Sequence, residues 1–114
     1  MNRVTLMGRL TRDPELKKTQ TGKSTCAFDL AVNTRGKTYF IKCRAWDSTA
    51  ENLSKYIRKG GMVGVDGTLQ IRTYDTENGK KSTTEVVCDQ ITFATGKTDP
   101  FAEGNGISEE ELPF

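Results

Sequence analysis

Apolar and polar residues alternate along most of this 114-residue chain, and the alternation limits what it can fold into. In the first such segment, residues 2–10, the side chains of Val4, Leu6 and Leu10 share one face. Successive side chains of a β-strand point to opposite sides, so a period of two indicates strands with one buried face. Four further segments carry the pattern: 25–33, 38–46, 62–74 and 82–93. We therefore predict an all-β domain of five strands.

One helix is predicted between the third and fourth strands. Ser48 and Glu51 have the spacing of a capping box, in which two side chains cap the first helical turn. Gly60 stands at a position where a helix commonly ends. Apolar residues recur at helical spacing in this segment, at Ala50, Leu53 and Ile57. The pattern predicts a helix from about residue 49 to residue 59.

Turn signals separate the predicted strands. Residues 33–37 indicate a tight hairpin, and Asn78-Gly79 is a strong hairpin signal. The alternation breaks between Val86 and Val87, which indicates a β-bulge in the last strand. Five strands with one helix between the third and the fourth is the element order of the OB-fold, a five-stranded Greek-key barrel. An SH3-like barrel or another five-stranded β domain is an alternative that this order leaves open.

Charge divides the chain into two parts. Residues 1–96 contain 16 Lys and Arg against 10 Asp and Glu, whereas residues 97–114 contain one Lys against five acidic residues. The apolar pattern stops after residue 95, and an acidic, polar segment of this kind is predicted to be disordered. We expect a folded domain over residues 1–95 that attracts a polyanion, followed by a flexible acidic tail over residues 96–114.

Composition argues against an enzyme or a metalloprotein. The chain has no histidine, and its three cysteines form no CxxC pair. The commonest general base and the usual spacing of a zinc site are therefore missing. The acidic residues are scattered over different elements, whereas a two-metal nuclease needs a cluster. We predict no catalytic residue, no metal and no cofactor. We expect no membrane association and no signal peptide, and therefore a cytoplasmic protein.

The third predicted strand, residues 38–46, carries the candidate binding site. Alternation assigns one set of its residues to the barrel interior: Tyr39, Ile41, Cys43 and Ala45. The other set lies outside, where two rings alternate with two cations: Phe40, Lys42, Arg44 and Trp46. The fourth strand adds Arg72 and Tyr74 at the same two-residue spacing. Because rings stack on bases and cations meet phosphates, this interleaving is typical of single-stranded nucleic-acid binding.

The chain also carries a specific combination of short segments: 2–4, 8–15, 30–33, 46, 49–52, 59–61, 63–67, 72–74, 84–87 and 108–114. This combination resembles the bacterial and phage single-stranded DNA-binding protein family over nearly the whole chain. The resemblance implies an OB-fold protomer, usually in a homotetramer, that wraps single-stranded DNA without sequence preference. By position, Phe40, Trp46 and Tyr74 match the base-stacking aromatic residues of the family.

The last residues of the tail resemble the acidic tip of that family. Three acidic residues precede an apolar end, in the order Glu109, Glu110, Glu111, Leu112, Pro113 and Phe114. A partner with a hydrophobic pocket beside basic residues would bind this tip. The resemblance implies that such partners are DNA replication, recombination and repair proteins, in a bacterial or phage-infected bacterial cell.

Two other functions remain open at this point. Stacking rings do not by themselves exclude RNA, since the 2′-hydroxyl that separates RNA from DNA has no signature in this sequence. A scaffold whose barrel serves only to present the tail is the second alternative. In that case the outer rings of the third strand would not respond to DNA.

Overall fold

The computed structural model of the protein describes residues 1–94, so the predicted acidic tail and its tip lie outside the described residues. Seven elements follow one another: β1 (Val4–Leu10), β2 (Lys17–Lys18), β3 (Ser24–Thr34), β4 (Lys37–Trp46), α1 (Asp47–Tyr56), β5 (Met62–Thr76) and β6 (Gly79–Phe93). The five predicted strands and the helix between the third and the fourth are confirmed. The two-residue strand β2 was not predicted because two residues are too few to show alternation.

Five of the strands close into a ring. The sheet order is β1-β5-β6-β4-β3-β2, and β1 also pairs with β3 through Arg9 opposite Ala31 and Leu10 opposite Leu30. The β4–β6 pair is parallel, and the other pairs are antiparallel. With five strands closed on themselves and one helix after β4, the predicted OB-fold is confirmed.

The inner rows of the strands meet in one hydrophobic core. Its largest fully buried side chains are Leu30, Leu53, Ile57, Val63, Val65 and Val86, together with Cys26 and Cys43. Leu53 of α1 and Ile57 after it complete the core, and burying an aliphatic side chain of this size contributes roughly 1.5–3 kcal/mol. The helix α1 packs against β3, β4 and β6. Within residues 1–94, no helix is long and apolar enough to cross a membrane.

The start of α1 differs from the prediction. The helix begins at Asp47, and its first turn has no side-chain capping hydrogen bond, so the predicted Ser48 capping box is wrong. The carboxylate of Glu51 instead accepts a hydrogen bond of 2.8 Å from the hydroxyl of Ser24. This contact ties the helix to β3. Glu51 is therefore used for tertiary packing and not for capping.

The end of α1 also differs from the prediction. The helix ends at Tyr56, and Ile57 is extended, with its N–H donating to the Leu53 carbonyl at 3.0 Å. Gly60 is therefore not the helix cap. Its N–H donates to the carbonyl of Leu10 at 2.8 Å, which fixes the connection between α1 and β5 against the end of β1.

The predicted hairpin between β3 and β4 is confirmed. Thr34 pairs with Lys37, and the two residues between them have positive φ, 54° at Arg35 and 80° at Gly36. A two-residue turn of type I′ needs positive φ at both central positions. Glycine adopts this conformation at no steric cost, so Gly36 explains why the connection can be this short.

The hairpin between β5 and β6 is confirmed, with its turn one residue earlier than the Asn-Gly signal. Thr76 pairs with Gly79, which leaves Glu77 and Asn78 as the turn residues. Thr76 also donates its hydroxyl to the Gly79 carbonyl at 2.7 Å. The side chain of Thr76 therefore helps to close the turn.

The bulge in β6 lies closer to the end of the strand than predicted. Gly67 pairs with Cys88 and Asp66 with Gln90, so Asp89 is the extra residue. A bulge between Val86 and Val87 is therefore wrong. The backbones approach closely at this point, because a Cβ added at Gly67 would lie 2.0 Å from the carbonyl oxygen of Val87.

Candidate nucleic-acid interface

The outer face of β4 carries the predicted site. Phe40 lies opposite Ala31, Lys42 opposite Asp29 and Arg44 opposite Ala27 on the neighbouring strand β3. The small side chains of Ala31 and Ala27 leave space beside Phe40 and Arg44. Phe40 is 67% exposed, whereas the side chain of Arg44 is 20% exposed. On the inner face, Cys43 and Ala45 are buried as predicted, and Ile41 is partly buried.

Tyr39 is the exception among the residues predicted to lie inside the barrel. Its side chain is 49% exposed, so the prediction that it fills the interior is wrong. The β3–β4 hairpin continues past the body of the barrel, and residues 37–40 are all exposed. The alternation in the sequence gives the face of a residue correctly, but it does not tell where the core ends along the strand.

One hollow brings together four of the six predicted site residues. Its volume is about 460 Å³, and Lys42 and Arg44 of β4 meet Arg72 and Tyr74 of β5 at its wall. The middle of this wall is β6, which pairs with β5 on one side and with β4 on the other. Residues of β4 and β5 that are separated by at least 28 positions in the sequence therefore lie on one surface.

Glu85 of β6 lies between the two arginines of this hollow. Its carboxylate oxygen Oε1 accepts a hydrogen bond of 3.1 Å from Nε of Arg44, and Nη1 of Arg72 lies 3.7 Å from the same oxygen. The Glu85 residue is only 6% exposed. Glu85 was not among the predicted site residues, because its spacing to either arginine in the sequence has no recognisable pattern.

Arg44 is held by two further contacts. Its Nη1 donates to the hydroxyl oxygen of Thr25 at 3.2 Å, and this hydroxyl in turn donates to the Ala45 carbonyl at 3.1 Å. The guanidinium also lies 5.9 Å from the ring centroid of Trp46, within the range of a cation–π contact. Arg44 and Trp46, which were both predicted to lie on the outer face, therefore contact each other there.

Phe40 lies beside the main hollow and not in it. Its ring is 67% exposed and lines an adjoining hollow of about 370 Å³, which Lys42 and Glu85 also line. Because most of the ring is in water, it contributes little to the core and is available for contact. Phe40 and Trp46 thus lie toward opposite ends of the cationic pair Lys42 and Arg44 on one strand.

A second hollow continues the main one toward β2. It has a volume of about 280 Å³ and shares Arg12, Ala27, Phe28 and Arg44 with the first. Lys17 adds a further cation to its wall. In the sequence, Arg12 lies within the family-like segment 8–15 and has no predicted role. The signal that was available is its position in the turn between β1 and β2, beside Asp13.

The strand β2 borders this second hollow. Lys18 donates through Nζ to the Ser24 hydroxyl at 2.9 Å, and this hydroxyl donates to Glu51 of α1. A chain of hydrogen bonds therefore joins β2, β3 and the helix. It fixes the strand that carries Lys17, so the edge of the hollow is built from ordered backbone.

The three cysteines are buried and free. Hydrogen bonding with Cys88 and burial raise the pKa of Cys43 far above its ordinary value. Burial also raises the pKa of Cys26. Cys26 and Cys43 therefore favour the neutral thiol, which is a poor metal ligand and nucleophile. All three cysteines belong to the hydrophobic core cluster and serve packing. Among residues 1–94, no group of three or more acids and cysteines is placed to hold a metal ion.

The closed ring of strands, with a helix after β4 and an outer face of rings and cations, defines an OB-fold domain. A model of the single-strand binding protein family matches residues 1–94, which are also the residues that the structure describes. The chain therefore belongs to the single-strand binding protein family. The resemblance seen in the sequence is confirmed.

Relatives from several bacteria are similar over most of the chain. Single-stranded DNA-binding protein 1 of Lactococcus lactis subsp. lactis (strain IL1403) is 36% identical over 149 residues, covering 100% of this chain and 99% of the relative. Single-stranded DNA-binding protein 1 of Staphylococcus aureus (strain COL) is 39% identical, covering 100% and 71%. The single-stranded DNA-binding protein of Oceanobacillus iheyensis is 44% identical, covering 85% and 65%.

Proposed function

We propose that this protein binds single-stranded DNA without sequence preference and has no catalytic activity. The observation that carries the proposal is the outer face of β4 and β5, where Lys42, Arg44, Arg72 and Tyr74 line one hollow and the exposed Phe40 lines the hollow beside it. The names of the relatives, all single-stranded DNA-binding proteins, support the same activity. Phe40, Trp46 and Tyr74 would stack on bases, and Lys42, Arg44 and Arg72 would meet phosphates.

The absence of sequence preference follows from the kind of contact. Every base has a face on which a ring can stack, and a phosphate is the same at every nucleotide. Cations contribute by releasing the counterions of the strand, which makes the affinity strongly dependent on salt. We therefore expect affinity to depend on salt and strand length more than on base order.

Fluorescence of Trp46 provides the direct test, since it is the one tryptophan of the chain. We expect titration with oligo-dT to change its emission and to saturate, and the affinity to fall as salt rises. Oligo-U of equal length, as competitor, tests the RNA alternative. An RNA-binding module would prefer oligo-U, and a scaffold with no nucleic-acid site would give no fluorescence change with either strand.

We further propose that the protein works as a homotetramer. Among the described residues, β1 pairs with β3 only through Arg9 and Leu10, so residues 4–8 have one edge without a neighbouring strand. Exposed edges invite pairing with another chain, and a symmetric assembly satisfies them. Light scattering of the purified protein should report about four chains. A mass that stays at one chain at all concentrations would contradict the assembly.

Recruitment of DNA replication, recombination and repair proteins in the bacterial cytoplasm is proposed for the tip of the tail. The sequence places three glutamates beside Leu112, Pro113 and Phe114. Such a tip offers both a ring for an apolar pocket and charges that attract basic residues around it. Deleting residues 112–114 should leave the oligo-dT affinity intact or slightly tighter. The same deletion should remove the host proteins that the intact protein captures from a bacterial lysate.

A further inference from the structure

Glu85 is a buried carboxylate at the centre of the proposed binding face. It belongs to the outer row of β6, yet its residue is only 6% exposed. Burying a carboxylate removes its hydration and is unfavourable unless charged or hydrogen-bonding groups replace the water. Glu85 does not belong to the hydrophobic core cluster, so core packing does not explain why an acid stands here.

The strand order explains which groups surround this carboxylate. Since β6 lies between β5 and β4, a side chain on its outer face has Arg72 on one side and Arg44 on the other. Both arginines approach the same oxygen, at 3.7 Å and 3.1 Å. One negative charge therefore serves two cations that come from the two neighbouring strands.

The two arginines differ in how firmly they are held. Arg44 contacts Thr25 and the ring of Trp46 in addition to Glu85, and its side chain is 20% exposed. Arg72 lies at the longer distance from Glu85, and its side chain is 56% exposed. Among the described residues, hydrogen bonds to Glu85 and Thr25 use two of the five N–H groups of Arg44. The remaining N–H groups are available for a phosphate.

Building on the proposed DNA binding, we propose that Glu85 is a positioning residue that orients Arg44 and Arg72 and limits their attraction for phosphate. The three side chains together carry a net charge of +1, where the two arginines alone would carry +2. Each extra phosphate neutralised on a single strand steepens the dependence of log affinity on log salt by about 0.7. Glu85 therefore sets both the geometry and the salt dependence of the face.

The substitution Glu85→Gln tests the charge while keeping the shape and one carbonyl oxygen for Arg44. We expect tighter binding of oligo-dT at low salt and a salt slope that is steeper by up to about 0.7. Between 50 and 200 mM salt, that difference makes the gain in affinity shrink by up to about 2.6-fold. If Glu85 only stabilised the fold, replacing it with Gln would lower the melting temperature and leave the salt slope unchanged.

Asp89→Asn is the matched control, because it removes an equal charge from the same strand. Asp89 is exposed and pairs with Arg3, and four residues along a strand separate it from Glu85 by roughly 13 Å. At that distance salt screens most of its effect on the proposed site. We expect its salt slope to match that of the unmodified protein.

A second pair of variants covers the case in which Glu85→Gln does not fold. Arg44→Gln is compared with the double variant Arg44→Gln, Glu85→Gln, in which two amides replace the ion pair. Removing the acid in this background should again steepen the salt slope by up to about 0.7, through Arg72 alone. Circular dichroism melts check that each variant is folded.

The outcomes separate this inference from the function on which it rests. If the unmodified protein gives no saturating change with oligo-dT, the proposed DNA binding is wrong. If the unmodified protein binds oligo-dT, either of two results overturns the role proposed for Glu85. In the first, each folded Glu85→Gln variant keeps the salt slope of the protein from which it was made. In the second, the variant binds more weakly and with a shallower salt slope. A steeper slope at Glu85 with no change at Asp89 supports it.

Discussion

Replacing Phe40 with alanine tests the proposed stacking role with little disturbance of the fold. The residue is 67% exposed, so only about a third of its surface is buried. Full burial of such a side chain contributes roughly 1.5–3 kcal/mol, and a third of that is about 0.5–1 kcal/mol. A domain of this size tolerates a loss of that order and stays folded.

The expected loss of binding is larger than the loss of stability. A stacked base contributes about 1–3 kcal/mol by alanine substitution, which corresponds to a roughly 5- to 150-fold weaker Kd. Trp46 remains in the variant as the fluorescent reporter, so the same oligo-dT titration is used for both proteins. The comparison is made at one salt concentration, because salt alone changes the affinity.

Tyr39→Ala is the matched control for Phe40→Ala. Tyr39 is the adjacent residue, is also aromatic and is 49% exposed, but its side chain lies on the other face of β4. We expect its Kd to stay within about twofold of the unmodified value. The stacking assignment would be refuted by a folded Phe40→Ala variant with unchanged affinity, or by an equal loss in both variants.

Two further predictions concern the barrel. Gly67→Ala should lower the free energy of unfolding by about 3 kcal/mol or more, because its Cβ would meet the Val87 carbonyl oxygen at 2.0 Å. Urea denaturation measures this, with Gly64→Ala as the control, since an added Cβ there is no closer than 3.5 Å to its neighbours; equal midpoints would contradict the close approach. The raised pKa values of Cys26 and Cys43 predict that a thiol reagent at pH 8 modifies the native protein far more slowly than the urea-unfolded protein. The neutral thiols of Cys26 and Cys43 contribute fully to stability below the ordinary thiol pKa of 9.0, and this contribution is lost as the pH rises through their raised pKa values. The urea midpoint should therefore fall above pH 9. A midpoint that stays constant there would contradict the raised pKa values.

Much of the fold was predictable because the information is local. Alternation gave the face of each strand residue, as the buried pair Cys43 and Ala45 confirms. The Arg35-Gly36 turn was also predictable, because a two-residue turn imposes its own backbone requirement. These inferences need only neighbouring residues in the sequence.

The errors arose where tertiary contacts decide the outcome. Glu51 has the right spacing for a capping box, but the hydroxyl of Ser24 is brought to it by the packing of β3 on α1. The bulge lies at Asp89 and not between the two valines, because the register of β5 against β6 sets its position. Tyr39 lies outside the core because the β3–β4 hairpin continues past the end of the barrel.

The residues of the candidate site also include some that local patterns predict and one that only the tertiary structure reveals. Phe40, Lys42, Arg44 and Trp46 lie on one strand and could be found by counting residues. Glu85 reaches Arg44 across 41 residues of sequence, through a parallel pairing of β4 with β6 that no local pattern predicts. An acidic residue in a basic site is also the opposite of what charge counting favours.

DNA binding and the stability of the barrel are coupled at Glu85, so a substitution there changes both. Each strand has an inner row that supports the core and an outer row that meets solvent, so most outer substitutions leave the core unchanged. Glu85 breaks this separation, because it is buried while it lies in the outer row between Arg72 and Arg44. If the acid were absent, the two arginines would repel each other in the free protein and attract phosphate more strongly. A carboxylate at this position therefore favours a free protein that is ordered and that binds a single strand reversibly.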